Sequence, residues 1–335
     1  MNSTTLAMPT TPPPPSPPSP TSRPRRAEGL LPLAVAVALG VAGPLLGGYG
    51  ADLLVKVMVL SIFALSLQLL VGMSGLVSLG HAAYYGIGAY ATVLGSGDGG
   101  GNLFWLLLLA MGGAALYALA VGALSLRTRG VYFIMVTLAF AQMAYFVFHD
   151  TPVGGGSDGI YLYVRPAAGA LDMENRTVLF YVVLAALVFT YGLLAVVRRS
   201  RFGAALAGIR VNEQRMRAAG FPTYGYKLAA FVLAGALAGL AGFLVAARDG
   251  VVNPEMLSWH ISGEVLLMVI LGGIGHLRGA VLGAVAFTLL KELLGTHALI
   301  GPLADHWQLT LGLAIIGFVA LLPKGLIGLV KGRQP

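Results

Sequence analysis

Val178-Leu-Phe-Tyr-Val-Val-Leu-Ala-Ala-Leu-Val-Phe-Thr-Tyr-Gly-Leu-Leu-Ala-Val-Val197 is an uncharged, strongly apolar run closed by Arg176 on one side and Arg198-Arg199 on the other. About 20 such residues are what a helix needs to cross a hydrocarbon layer of about 30 Å. A barrel strand would alternate polar and apolar residues over about ten positions, and this run does not alternate. With no water in the lipid to bond a free amide, the run reads as a membrane-crossing helix, which satisfies its backbone internally.

Runs of the same kind recur on both sides of it. The spans read as 30–46, 51–71, 73–95, 103–125, 130–148, 177–197, 226–247, 264–275, 280–294 and 307–323. Of the whole chain 57% is hydrophobic and 10% charged, against about 25% charged in a soluble domain. The prediction is an all-α, polytopic helical membrane protein of about 10 transmembrane helices (range 8–10), in one domain over residues 28–327.

Residues 1–27 are rich in Pro, Ser and Thr and read as a disordered tail, because that composition cannot bury a core. Residues 328–335 read as a short basic tail. Arg25-Arg26 and the apolar run after them imitate a secretion signal, but with further spans following, the run reads as a retained first helix. With the N-terminus inside, sixteen of the 21 Lys and Arg fall on cytoplasmic connections and tails, so both termini are expected in the cytoplasm. The net charge of +8 is then a topology signal, and no nucleic-acid partner is expected. With no Cys, disulfides, thiolate metal sites and thiol nucleophiles are excluded; no metal ion is expected.

Glycines carry packing information. Gly235 and Gly239 lie four residues apart, as do Gly275, Gly279 and Gly283, the spacing that lets helix backbones approach in lipid. The segment from Gly75 to Tyr90 mixes small and aromatic residues and reads as a buried helix, whose glycines serve tight packing or wall a path. Gly272, Gly273 and Gly275 interrupt the eighth span, which suggests a broken or re-entrant helix.

The longest basic cytoplasmic segment, Arg198 to Lys227, contains an expected amphipathic helix with Leu206, Ile209 and Met216 on one stripe. Glu213 and Arg217 are placed to pair four residues apart, and Gly220 with Pro222 supplies a stop. Such a helix can be solvated, lie on lipid, or dock in a groove of another protein.

Several motifs point elsewhere and do not hold. No Lys sits in a G-x-x-x-x-G-K-[ST] loop, so the chain has no phosphate cradle of that kind. Gly72-Met73-Ser74-Gly75 has the form of an intramembrane serine protease motif, but His81, read on the same helix, would stand about 10 Å away. Asp52 with Lys56, and Lys291 with Glu292, read as local pairs or snorkelling side chains. So few intramembrane charges argue against an ion-coupled secondary transporter.

The chain resembles the permease subunits of ABC importers for branched-chain amino acids, over roughly Ala51 to Gly325. The resemblance rests on Gly75-Leu-Val-Ser78-Leu-Gly80-His81-Ala, on Arg129-Gly130-Val-Tyr132-Phe with Thr137-Leu-Ala, on Gly154-Gly155-Gly156-Ser157-Asp158-Gly159, and on Arg210-Val-Asn212-Glu213 leading to Ala218-Ala219-Gly220. It implies an ATPase-coupling loop formed by Ile209, Arg210, Asn212, Glu213, Met216, Ala218, Ala219 and Gly220. It also implies a second permease subunit, giving a heterodimer, with ABC ATPase subunits that carry ATP and magnesium, so that this chain binds no cofactor. A periplasmic solute-binding protein would land on the external segment His149 to Arg176, at the Gly154–Gly159 loop. Ser74, Ser78, His81, Thr137 and Gln142 are candidate pathway residues, as polar groups in spans that read as buried. The implied location is a bacterial cytoplasmic (inner) membrane. Related permeases for urea and other small polar solutes share much of the pattern, and the Pro-rich tail is not part of it.

Overall fold

The computed structural model of the chain describes residues 38–40, 43, 47–97, 100–169, 171–296, 307–322 and 325–330. Helix α1, Gly47–Gln68, runs on as a π-helical turn over Leu69–Ser74. The helix is apolar on nearly every side, which is the mark of a helix with no wet face. In its most apolar part 83% of the residues are inside the protein.

The π turn ends at Gly75, whose φ of +71° is a left-handed conformation that glycine takes without a Cβ clash. Residues 75–80 are not helical, and α2 spans His81–Ser96. The expected single helix over 73–95 is thus corrected: its first turn belongs to α1, and the Gly75–Gly80 stretch is a connection.

Helices α3 (Leu103–Ser125), α4 (Val131–Asp150) and α5 (Arg176–Arg199) form an outer layer, burying only 28%, 22% and 22% of their most apolar parts. After the short helices α6 (Arg201–Val211) and α7 (Glu213–Ala218), α8 (Thr223–Asp249) returns through the centre, 72% buried by the same measure. Close backbone approach makes this centre. A Cβ on Gly88 of α2 would stand 2.6 Å from Gly239 Cα, and one on Gly239 would stand 2.6 Å from Ala114 Cβ of α3. Gly235 meets Ala118 in the same way, so the tight packing expected at Gly235 and Gly239 is present.

Helices α9 (Trp259–Gly272) and α10 (Leu277–Gly295) meet at 117° across Gly273 (φ +114°) and Gly275 (φ +89°). The expected break is there, but α9 starts at Trp259 rather than 264, because the Ser258 side chain caps it by accepting from the His260 amide. Gly279 and Gly283 let α10 fold back: a Cβ on either would stand 2.8 Å from the backbone at Gly272. Helices α11 (Trp307–Leu321) and α12 (Leu326–Val330) complete the described chain.

The helix ends collect at two poles. At one, Asp52 pairs with Arg176 at 4.0 Å, the Tyr49 hydroxyl bonds Glu292, and strand β1 (Ile160–Tyr161) pairs antiparallel with β4 (Val251–Val252). Strands β2 (Ala167–Ala168) and β3 (Leu171–Asp172) form a second small ribbon there, bridged to Asn102. At the other pole lie the 75–80 connection, α6, the α9–α10 turn and Gly325.

Among the described residues five helices are long and apolar enough to cross a membrane, six if α9 and α10 count as one bent span. The sequence predicts about ten. Helices α2 and α11, at 16 and 15 residues, fall short of about 20. The expected span 30–46 lies almost wholly outside the described residues, as do both chain ends whose cytoplasmic placement was predicted. The tails expected at 1–27 and 328–335 lie outside them too, except for 328–330, which close α12.

Candidate functional site

The segment expected to be one amphipathic helix is two. Asn212, with φ −156° and ψ 99°, breaks the chain between α6 and α7, and its side chain caps α7 by accepting from the Arg215 amide at 2.9 Å. Leu206 and Ile209 of α6 are buried against the bundle, while Met216 sits on α7 and folds back over Gly208. The stripe therefore exists by tertiary folding rather than along one helix. Ala218, Ala219 and Gly220 are exposed, flanked by Val211 at 83% exposure and Phe221 at 40%.

Glu213 ties this exposed helix to the core. One carboxylate oxygen accepts from Arg217 Nη2 at 2.6 Å and from the Thr223 hydroxyl at 3.2 Å, and the other accepts from Lys227 Nζ at 2.6 Å. The expected pair with Arg217 is present, and two partners at the start of α8 are added to it. Burial raises the Glu213 pKa, but the Lys227 hydrogen bond and charge, the Arg217 charge and the Thr223 hydrogen bond outweigh it and hold the carboxyl below its usual value.

Arg210 makes a second tie. Its guanidinium donates to the Gly72 carbonyl in the π turn of α1 and passes close to Gly275. Gln68 joins the same junction. Its terminal amide has one atom 2.6 Å from the Gly275 N–H nitrogen and 2.7 Å from that of His276, which identifies that atom as the oxygen. Helix α6, the end of α1 and the α9–α10 turn are thus fastened together by side chains whose partners are backbone groups.

Of the candidate pathway residues, Ser78 and Thr137 both lie against Gly80, next to His81. Ser74 donates to the Leu69 carbonyl at 3.4 Å, Ser78 accepts from the Gly80 amide at 3.2 Å, and Thr137 donates to the Ile134 carbonyl at 2.9 Å. His81 is fully buried, with Nε2 2.8 Å from the Ser66 hydroxyl and its ring stacked on Phe63. Gln142 is half-buried on α4. His81 begins its own helix and engages Ser66 rather than Ser74, so the reading of Ser74 and His81 on one helix is corrected.

The local-pair readings are corrected too. Lys291 pairs with Glu264 of α9 at 2.8 Å rather than with Glu292, and Asp52 pairs with Arg176. Lys56 instead faces a cavity of about 220 Å³ between α1, α8, α9 and the 254–257 turn. Arg248, Asp249, Asn253, Glu255 and Glu264 also line it, over a floor that includes Val59, Phe63, Val265 and Met268. The available signal was the stripe Lys56, Val59, Leu60, Phe63, spaced for one helix face; the groups it meets lie some two hundred positions on.

On the segment expected outside, Gly154 is buried against the Phe148 carbonyl and its own carbonyl accepts from the Tyr90 hydroxyl at 3.2 Å. Gly155, Gly156 and Gly159 all take positive φ, and Gly159 packs against the Val252 backbone. Ser157 and Asp158 are exposed and bond each other at 3.2 Å.

The sequence that folds into these packed apolar helices matches a known family. The family described as branched-chain amino acid transport system / permease component matches residues 50–322. The chain belongs to this family. The permease is 29% identical, over 324 residues, to the high-affinity branched-chain amino acid transport system permease protein LivM of Salmonella typhimurium, covering 89% of this chain and 75% of the relative. The LivM protein of Escherichia coli strain K12 is similar to the same extent. No solved structure matches the permease. Membership makes this chain a membrane transport component rather than an enzyme.

Proposed function

We propose that the permease is one membrane subunit of an ATP-binding-cassette importer in a bacterial inner membrane, with both termini cytoplasmic. It pairs with a second, similar permease. Separate ATPase subunits hold ATP and magnesium and dock on α6 and α7, and a periplasmic binding protein delivers branched-chain or related hydrophobic amino acids to the opposite pole. Ser157, Asp158 and the exposed Tyr161 and Tyr163 offer that protein a contact surface.

The observation that supports the reading best is the bracing of α7. A helix of six residues cannot hold its shape alone, yet this one is exposed and pinned to α8 through Glu213, while its neighbour α6 is pinned to α1 by Arg210. A push on α7 is therefore transmitted to α8 and, through α6, to α1 without being absorbed locally. The pathway then runs between helices that separate under that push.

The test is reconstitution of the assembled complex in proteoliposomes with its binding protein. Uptake is expected to require ATP, and Ala219→Arg, which places a charged side chain on the exposed face, is expected to abolish uptake while the permease still assembles in the membrane. Uptake that proceeds without ATP, or that is unchanged in Ala219→Arg, overturns the reading.

A further inference from the structure

The pole that carries α6 and α7 is short of negative charge. Among the described residues its only carboxylate is that of Glu213, which Lys227, Arg217 and Thr223 already occupy. Arg198, Arg199 and Arg201 are exposed at this pole, and no carboxylate lies within ion-pair distance of any of them among the described residues. Like charges crowded between positions 198 and 201 repel one another, so an anion brought from outside the chain is stabilised at this corner.

The corner is fixed by its own hydrogen bonds. The Ser200 amide bonds the Val196 and Val197 carbonyls at 3.0 and 3.2 Å, and its hydroxyl donates to the Val197 carbonyl at 2.7 Å and accepts from the Gly203 amide at 3.2 Å. A Cβ on Gly203 would stand 2.9 Å from Arg198 Cα, so a larger residue would force α6 away from the end of α5. Phe202 stacks on Tyr226 of α8 with ring centroids 5.6 Å apart, while Arg198, Arg199 and Arg201 stay on the outside.

The surface beside the arginines narrows the choice of anion. Phe189, Gly192, Val196 and Arg199 are spaced for one face of α5 and line it over about 15 Å. Phe189 is 59% and Val196 67% exposed, and nothing lies within 4 Å of a Cβ placed on Gly192, so an open apolar stripe with a notch leads to Arg199. An acidic protein surface or a free phosphate ion would meet the arginines and leave this stripe bare. An anionic phospholipid supplies a phosphate for the guanidinium groups and an acyl chain for the stripe. A zwitterionic lipid brings its own cation to the corner, and the arginines repel it.

We propose that the corner between α5 and α6 is a site for an anionic phospholipid, whose phosphate is held by Arg198, Arg199 and Arg201 and whose acyl chain lies along Phe189, Gly192 and Val196. Such a site requires only that the chain spans a membrane, and it is independent of the importer reading. Because α6 starts at this corner, the bound lipid steadies the root of the helix that leads to α7.

The test is native mass spectrometry of the full-length permease, purified in detergent and titrated with phosphatidylglycerol or with phosphatidylcholine of the same acyl chains. One basic side chain at a lipid surface is worth about fivefold, so the three together should favour phosphatidylglycerol by about tenfold to a hundredfold. Arg198→Gln, Arg199→Gln and Arg201→Gln combined should bind the two lipids alike, and the same three positions changed to Lys should keep the preference. Arg215→Gln, on α7 and away from the corner, should leave the preference unchanged. Glycerol 3-phosphate, which has the phosphate without acyl chains, should not compete.

Equal binding of the two lipids by the wild type overturns the proposal without any variant having to fold. A preference that survives the three Gln substitutions overturns it as well. Competition by glycerol 3-phosphate at the concentration of the lipid would make the corner a site for a soluble anion, and release of the lipid when partner ATPase subunits are added would make it a contact for an acidic protein surface; either result removes the lipid site.

Discussion

Replacing Glu213 by Gln preserves the shape of the side chain and removes the charge that fastens α7 to α8. Lys227, whose side chain is 12% exposed, loses a carboxylate at 2.6 Å, and Arg217, 50% exposed, loses one at 2.6 Å. A hydrogen bond to a charged group in a shielded site contributes about 1.5–3 kcal/mol, whereas an exposed pair contributes about 0–1. The Gln oxygen still accepts one hydrogen bond, so the loss is about 1–3 kcal/mol, dominated by Lys227. At about 1.4 kcal/mol per tenfold, the opening of α7 should become roughly 5- to 150-fold more frequent. Hydrogen exchange reads this directly, because the Met216, Ala219 and Gly220 amides bond to the Asn212, Arg215 and Arg217 carbonyls within the helix and its cap. Those amides should exchange faster by that factor, while the amides of α8 from Leu237 to Ala247 keep their protection. Exchange at α7 that does not change, or that rises equally in α8, refutes the idea that Glu213 is the local fastening.

The same carboxylate predicts a pH dependence: its folded pKa lies below the usual value, so its contribution is whole above that value and is lost as the pH falls through the depressed one. After correction for intrinsic rates, α7 exchange should be flat above about pH 5 and rise below about pH 4 in the wild type, and be flat throughout in Glu213→Gln. Asn212→Ala removes the cap that accepts from the Arg215 amide and should cost about 1 kcal/mol, seen as faster exchange of that amide and of α7 alone. Gly88→Val drives a side chain into the Gly239 backbone, where neither partner can rotate away, so the loss should exceed the roughly 1–3 kcal/mol of ordinary overpacking. The detergent-solubilised protein should melt at lower temperature, whereas Gly112→Ala, with nothing within 4 Å of its new Cβ, should leave the melting unchanged.

The apolar spans and the small-residue contacts at Gly235 and Gly239 were legible in the sequence because they follow from local composition: lipid admits only uncharged helices, and close helices admit only small residues. The Glu213–Arg217 pair was legible for the same reason, being four residues apart on one turn. Three other features were not. The π turn that ends at Gly75 depends on Arg210 and Gln68 reaching the backbone at Gly72, Gly275 and His276, and hydropathy carries no trace of it. The split of the basic segment at Asn212 looked continuous, since Leu206, Ile209 and Met216 satisfy a helical period whether or not the helix is unbroken. The spans also overran or fell short of the helices wherever glycine-rich connections are as apolar as the helices they join.

Local sequence, then, determined the solvent of this protein, its helical class and its family motifs, because each of these is a property of a few neighbouring residues. Tertiary structure decided which charges find partners. Asp52 and Lys291, read as snorkelling or as partners of their neighbours, pair with Arg176 and Glu264, and Lys56 turns to a cavity shared with Arg248 and Glu255. The physical reason is that a charge in an apolar bundle takes the counter-charge nearest in space, and only the folding together of α1, α8 and α9 sets which groups are near.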